Sequence, residues 1–159
     1  MRNSHAMTHA PQLPPGLQTR RRVRVIPTLL IDSTGRLVKT VKFGRRTYIG
    51  DPINAVKIFN TKEVDELILF DIDASREKRA PNYALIADIA GEAFMPVGYG
   101  GGISTIGHIG ELYKCGIEKV VLSSCLADGT ALVSQAAQRY GAQAAVVCLQ
   151  VKKPLFGGA

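Results

Sequence analysis

Three consecutive glycines, Gly100, Gly101 and Gly102, stand between a short apolar run and the amphipathic stretch that opens after Ile103 and Ser104. Glycines at such a place let backbone N–H groups come close to an anion, and the first turn of a following helix adds a favourable dipole. Ser123 and Ser124 end the next apolar run and offer hydroxyl donors. If the two runs are neighbouring parallel strands, these five residues lie on adjacent loops and form a phosphate cradle. A glycine triplet alone would serve a tight turn equally well. The paired serines tip the reading toward an anion site.

A second set is charged. Arg24, Glu66 and Lys119 each open an apolar run. Side chains alternate faces along a strand. Lys119 therefore shares a face with Val121 and Ser123, Glu66 with Ile68, Phe70 and Ile72, and Arg24 with Ile26, Thr28, Leu30 and, if the strand continues, Asp32. Three charges turned into the base of a barrel would be costly unless paired. Spacing alone is satisfied as well by strand ends that face solvent.

The elements that must carry these residues alternate. Apolar runs at 24–31, 66–72, 96–99, 119–123 and 144–149 read as buried strands, and 37–43 as a hairpin extension of the first. Between them, helices are expected over about 52–64, where Asp51 and Pro52 supply a cap and first position, and over 82–94, 105–115 and 129–140. Strand and helix in alternation make a parallel sheet of α/β class. Length leaves open a doubly wound sheet and part of a (βα)₈ barrel; either way the ligand face is the C-terminal end of the strands.

Composition narrows the function classes. Of 159 residues, 46% are hydrophobic, enough for one domain with a core. The formal charge of +7 is concentrated: residues 1–22 contain Arg2, Arg20, Arg21 and Arg22 and no acid, leaving +3 for the other 137. We read 1–22 as a disordered basic tail and 23–159 as the folded unit. With five Tyr, five Phe and no Trp, stacking platforms are sparse, and nucleic acid is not the expected partner. Cys115, Cys125 and Cys148 form no CxxC pair, which suits a reduced, cytoplasmic protein. No apolar run approaches the ~18–20 residues of a spanning helix, so no membrane association is expected. No metal site or cofactor is indicated.

The runs RVIPTLLI (24–31), GRLVKTVKF (35–43), GDPINAVKIFN (50–60), VDELILFDIDAS (64–75), PVGYGGGIST (96–105), CGIEKVVLSS (115–124) and YGAQAAVVCLQVKK (140–153) together resemble the cyclase subunit of imidazole glycerol phosphate synthase. The resemblance implies a (βα)₈ barrel, here an N-terminal portion of about five strands, truncated before closure. It implies a lyase-type cyclisation of a phosphorylated ribonucleotide, fed with ammonia by a glutaminase partner through the barrel. Gly100, Gly101 and Gly102 match the family's phosphate loop, and Ser123 and Ser124 fall where it usually has Asn-Thr. Arg24, Glu66 and Lys119 match three of four charges that gate ammonia at the base. Lys39 matches a functionally important lysine after the first strand, and Glu118 lies beside the glutaminase-docking face.

The catalytic positions depart from that pattern. Where the family has two aspartates as general acid and base, this chain has Leu30 and Gln150, neither able to transfer a proton near neutral pH. Asp32, two residues past Leu30, is the candidate surrogate; its other reading is a turn-forming Asp. Asp71 and Asp73 have the opposite parity to Glu66 and are expected to point outward and bind backbone. The leucine, with VKT-VKF and GDPINAV-IFN nearby, resembles a divergent branch associated with amidation of surface-polysaccharide sugars. A non-catalytic phosphate-binding half-barrel is the remaining alternative.

Overall fold

The structure, a computed structural model, describes residues 23–41 and 44–150; the basic tail assigned to 1–22 lies outside the described residues. The chain runs through β1 (Thr28–Ile31), β2 (Leu37–Thr40), β3 (Arg46–Gly50), α1 (Pro52–Thr61), β4 (Leu67–Asp71), α2 (Tyr83–Glu92), β5 (Val97–Gly100), α3 (Ile106–Lys114), β6 (Lys119–Leu122), a 3₁₀ turn at Ser124–Asp128, α4 (Ala131–Tyr140), a second 3₁₀ turn at Ala142–Ala144, and β7 (Ala145–Val147). The sheet order is β3-β2-β1-β4-β5-β6-β7. From β1 to β7 every pairing is parallel and consecutive in the chain, while β2 and β3 form an antiparallel hairpin on the outer edge of β1.

That order separates the two architectures left open above. A doubly wound sheet reverses direction at a switch point. Here each helix returns the chain to the next neighbouring strand, and α1, α2, α3 and α4 pack successively against one another. The arrangement is the consecutive winding of barrel strands, in agreement with the α/β, partial-barrel expectation.

Period-two alternation divides each strand between two faces. Leu29, Ile31, Leu67, Leu69, Val97, Tyr99, Val120 and Leu122 are buried and meet Val56, Ile86, Ile89, Ile109, Leu112 and Ala136 from the helices. The register builds the other face in rows. Leu30, Phe70, Gly100 and Val121 stand side by side near the C-terminal ends, and Thr28, Ile68, Gly98 and Lys119 form the row beneath. Phe70 lies over Gly100, where a Cβ would stand 2.6 Å from the ring.

Helix starts follow local chemistry. Asp51 accepts from the Asn54 N–H at 3.0 Å with Pro52 behind it, Asn82 accepts from Leu85 N–H at 3.3 Å, and Thr105 accepts from His108 N–H at 3.2 Å. Two expectations are corrected. Residues 46–50 form a second hairpin strand that the sequence reading omitted; RTYIG is exposed except at half-buried Gly50, so no apolar alternation announced it. Gly100 belongs to β5 rather than breaking it, and the chain leaves the strand at Gly101 and Gly102, whose φ angles are +125° and +67°.

Leu69 sits in the central strand with no exposed surface. Leu69→Ala is expected to lower unfolding stability by about 2–5 kcal/mol. Ile58→Ala, on the exposed side of α1, should change it by no more than about 0.5 kcal/mol. Urea denaturation followed by far-UV circular dichroism measures both, and equal losses would contradict the assignment of faces.

Candidate functional site

At the C-terminal ends of the strands, the glycine loop is forced into place by backbone contact. A Cβ at Gly101 would stand 2.4 Å from the Asp71 carbonyl oxygen, and one at Gly102 would stand 2.3 Å from that of Arg79. No other residue tolerates both that approach and these φ angles. The consequence is that the Gly102 N–H points at the β4–α2 loop and donates to Ser75 Oγ at 3.0 Å. Ser124, just past β6, donates its hydroxyl to the same Ser75 oxygen at 3.0 Å. Two donors from different strand ends thus converge on one acceptor oxygen. Ser123 is half-buried, and its carbonyl accepts from Leu126 N–H at 3.0 Å. The loops border a half-open cleft of about 670 Å³ whose walls include Ser75, Lys78, Gly102, Ser104, His108 and Ser124.

At the opposite ends of the strands, Glu66 is buried and pairs with both the Lys119 ammonium and the Arg24 guanidinium. Burial pushes the Glu66 carboxyl up, but these two cations hold it below the usual glutamate value. The three charges are therefore brought together at the base rather than spread into solvent.

Asp32 is buried and wholly engaged within its own turn. It accepts from Thr34 N–H at 2.9 Å, the Thr34 hydroxyl at 2.6 Å and Arg36 N–H at 3.1 Å, with the Arg36 guanidinium at 3.4 Å. Against the opposing effect of burial, those donors lower its carboxyl below the usual range. An ionised carboxylate with these partners forms the turn; it holds no proton to give near neutrality. Leu30 is half-buried on the inner face and Gln150 is exposed. Lys39 is exposed on β2 opposite Thr47, on the hairpin that pairs with the end of β1 through Leu30 and Val38.

Asp71 and Asp73 turn away from the inner face. Asp71 accepts from the N–H groups of Asp73 and Ala74 at 3.1 and 2.9 Å and pairs with Arg79 at 3.0 Å. Asp73 receives both guanidinium nitrogens of Arg46 at 2.5 Å, Arg76 at 2.8 Å and the Ser33 N–H at 3.0 Å. The Arg46 contact holds the Asp73 carboxyl well below the usual range despite its burial. Asp73 thereby ties the β2–β3 hairpin and the β1 turn to the end of β4. Arg46, Ser75 and His108 were absent from the sequence-based candidates. Ser75 lies inside the DIDAS run and could have been singled out there; nothing local marks Arg46, whose partner is 27 residues away.

A family model described as histidine biosynthesis protein matches residues 24–158. A protein of Vibrio vulnificus with the provisional name imidazole glycerol phosphate synthase subunit hisF3 is 55% identical over 136 residues, covering 86% of this chain and 52% of its own length. A Pseudomonas aeruginosa protein, provisionally named subunit hisF2 of the same enzyme, is 51% identical over 137 residues, covering 86% and 54%. The protein named imidazole glycerol phosphate synthase subunit HisF from an Exiguobacterium strain is 36% identical over 129 residues, covering 81% and 50%. The chain spans about half the length of the relatives it matches.

The buried carboxylates set an acid limit. Asp73 and Asp32 have lowered values in the fold against an ordinary 3.8, and Glu66 against an ordinary 4.5. In the window between, the unfolded chain binds more protons than the folded one, so stability rises with pH. It is fully present above the ordinary values and is lost as pH falls through the lowered ones. Asp73→Asn should cost about 1.5–3 kcal/mol at pH 7 and flatten this acid limb. Thermal unfolding between pH 3 and pH 7 checks it; an unchanged limb in the variant would refute the role given to Asp73.

Proposed function

The chain belongs to the histidine biosynthesis protein family, and from that premise we propose that its strand ends bind a phosphate of a phosphorylated ribonucleotide or sugar while its base passes ammonia from a glutaminase partner. The carrying observation is the convergence of the Gly102 N–H and the Ser124 hydroxyl on a single oxygen, each at 3.0 Å. Ser75 Oγ occupies the point at which a phosphate oxygen would accept from both. Lys78 adds positive charge to the cleft wall. At the base, Glu66 between Lys119 and Arg24 forms a polar constriction in line with the inner face, the position at which ammonia would enter. Family resemblance gives Lys39 a functional role; the residue is exposed on β2, opposite Thr47.

Specific residues favour ammonia delivery to a sugar over cyclisation of the ribonucleotide. Leu30 stands in an apolar row with Phe70 and Val121, where a cyclase of this family would need a carboxylate. Asp32 is spent on its turn. Identity also falls from 55% and 51%, for relatives named provisionally as the synthase subunit, to 36% for one named so without reservation. In this reading the barrel holds a phosphate-bearing ligand and conducts ammonia, and proton transfer to the acceptor is supplied elsewhere.

Two measurements test this. Isothermal titration with ribose 5-phosphate should detect binding that Ser124→Ala weakens about ten- to a hundredfold, the loss of one hydrogen bond to a charged group; an unchanged affinity would remove the cradle. Ammonium-fed cyclisation of the ribonucleotide should show no turnover by this chain. Turnover that Asp32→Asn abolishes would restore the cyclase reading.

A further inference from the structure

The two donors of the cradle are already in use in the free chain. Ser75 Oγ lies 3.0 Å from the Gly102 nitrogen and 3.0 Å from Ser124 Oγ. A peptide N–H can only donate, so the Ser75 oxygen is fixed as the acceptor of the Gly102 bond. A ligand that takes the same N–H must displace that oxygen. The backbone that carries Ser75 is held in place. Asp71 accepts from the Asp73 and Ala74 N–H groups, the Lys78 N–H reaches the Ser75 carbonyl at 3.2 Å, and the Arg79 N–H reaches that of Ala74 at 2.8 Å. Ala74 has no exposed surface, and a Cβ on Gly102 would stand 3.0 Å from its methyl. The Ser75 side chain, by contrast, is exposed, and rotation about the single torsion χ1 carries its oxygen away.

We propose that Ser75 is a specificity-determining residue of the cradle: its hydroxyl is an internal occupant that rotates about χ1 to admit an anionic oxygen and holds the two donors against neutral ones. The inference rests on the phosphate reading of the cradle. A ligand hydroxyl would exchange one neutral acceptor for another, and the ligand would also lose its freedom of motion on binding. A phosphate oxygen accepts charge-assisted bonds, roughly twice as strong as neutral ones. Only the second exchange is favourable.

Displacement has a measurable consequence. In the wild-type chain an arriving anion gains two bonds while Ser75 gives up two. Without the Ser75 oxygen, the anion gains the same two and nothing within the protein is given up. Ser75 and Ser124 are also coupled. With Ser75 present, Ser124 trades one acceptor for another. With Ser75 absent, its hydroxyl exchanges only water for the anion, so its removal is felt more strongly.

Titration calorimetry of the full chain with ribose 5-phosphate should show Ser75→Ala binding about five- to thirtyfold more tightly than wild type, the release of one to two ordinary hydrogen bonds. Ser124→Ala should weaken binding about fivefold more in the Ser75→Ala background than in the wild-type one. Ribose, the neutral counterpart, should not displace ribose 5-phosphate from wild type. A nuclear magnetic resonance titration of the wild-type chain needs no variant: the Gly102 amide resonance and the Ser75 Hα–Hβ couplings should change together as ribose 5-phosphate is added. Affinity unchanged or weakened in Ser75→Ala, equal Ser124→Ala losses in both backgrounds, displacement by ribose, or Ser75 couplings that stay fixed while the Gly102 amide moves would each overturn the role of Ser75 and leave the cradle standing. No binding by either wild type or Ser75→Ala would sink the cradle and this inference together.

Discussion

At Gly101 and Gly102 the backbone of the β5 end presses on the carbonyl groups of Asp71 and Arg79 more closely than any side chain allows. Most of the candidate site depends on that contact. It brings the Gly102 N–H to Ser75 and closes the loop after β4 around a compact core of its own hydrogen bonds. In that loop Asp71 receives the Asp73 and Ala74 N–H groups, the Arg79 N–H reaches the Ala74 carbonyl at 2.8 Å, and the Glu77 N–H reaches that of Asp73 at 2.9 Å. A methyl group at either glycine would separate the two strand ends, and Ser75 would no longer stand between Gly102 and Ser124.

Buried carboxylates are placed at the two ends of the sheet and kept out of its middle. Asp32, Asp71 and Asp73 lie at the C-terminal ends and Glu66 at the base, each with cationic partners. The pairing is what makes burial tolerable, since an unpaired carboxylate at these depths would protonate instead. It also means that each of the four is committed to arginine, lysine or backbone donors. A general acid at neutral pH needs a proton to give, and the partners of Asp32, Asp73 and Glu66 hold those three carboxyls below their ordinary values.

The fold was legible because each of its elements has a local cause. Alternation over residues 67–71, the Asp51-Pro52 start of α1 and the Gly116 end of α3 act within a few residues, and the consecutive strand order follows from short βα connections. Charges at 24, 66 and 119 could be placed on one face by parity, yet parity alone could not say that they meet; that requires the register in which Gly98 lies opposite Lys119 and Ile68. The hairpin strand at 46–50 escaped notice because its hold on the rest is polar. Arg46 grips Asp73 across the strand ends, and nothing near either residue in the chain encodes the other.

The inner face then decides what kind of site this half can build. Its upper row of Leu30, Phe70, Gly100 and Val121 is apolar from one strand to the next. The glycine-loop and serine donors lie in the loops at the rim, and Glu66 with Lys119 and Arg24 lies at the base. An apolar row lies between the two. A small neutral molecule such as ammonia crosses such a row with little desolvation cost, whereas an ammonium ion would face the full cost of an unpaired charge. On the proposed reading, Glu66, Lys119 and Arg24 would serve conduction at one end and the glycine loop binding at the other. Leu30 is the residue that keeps the row apolar at the end of β1, beside Phe70.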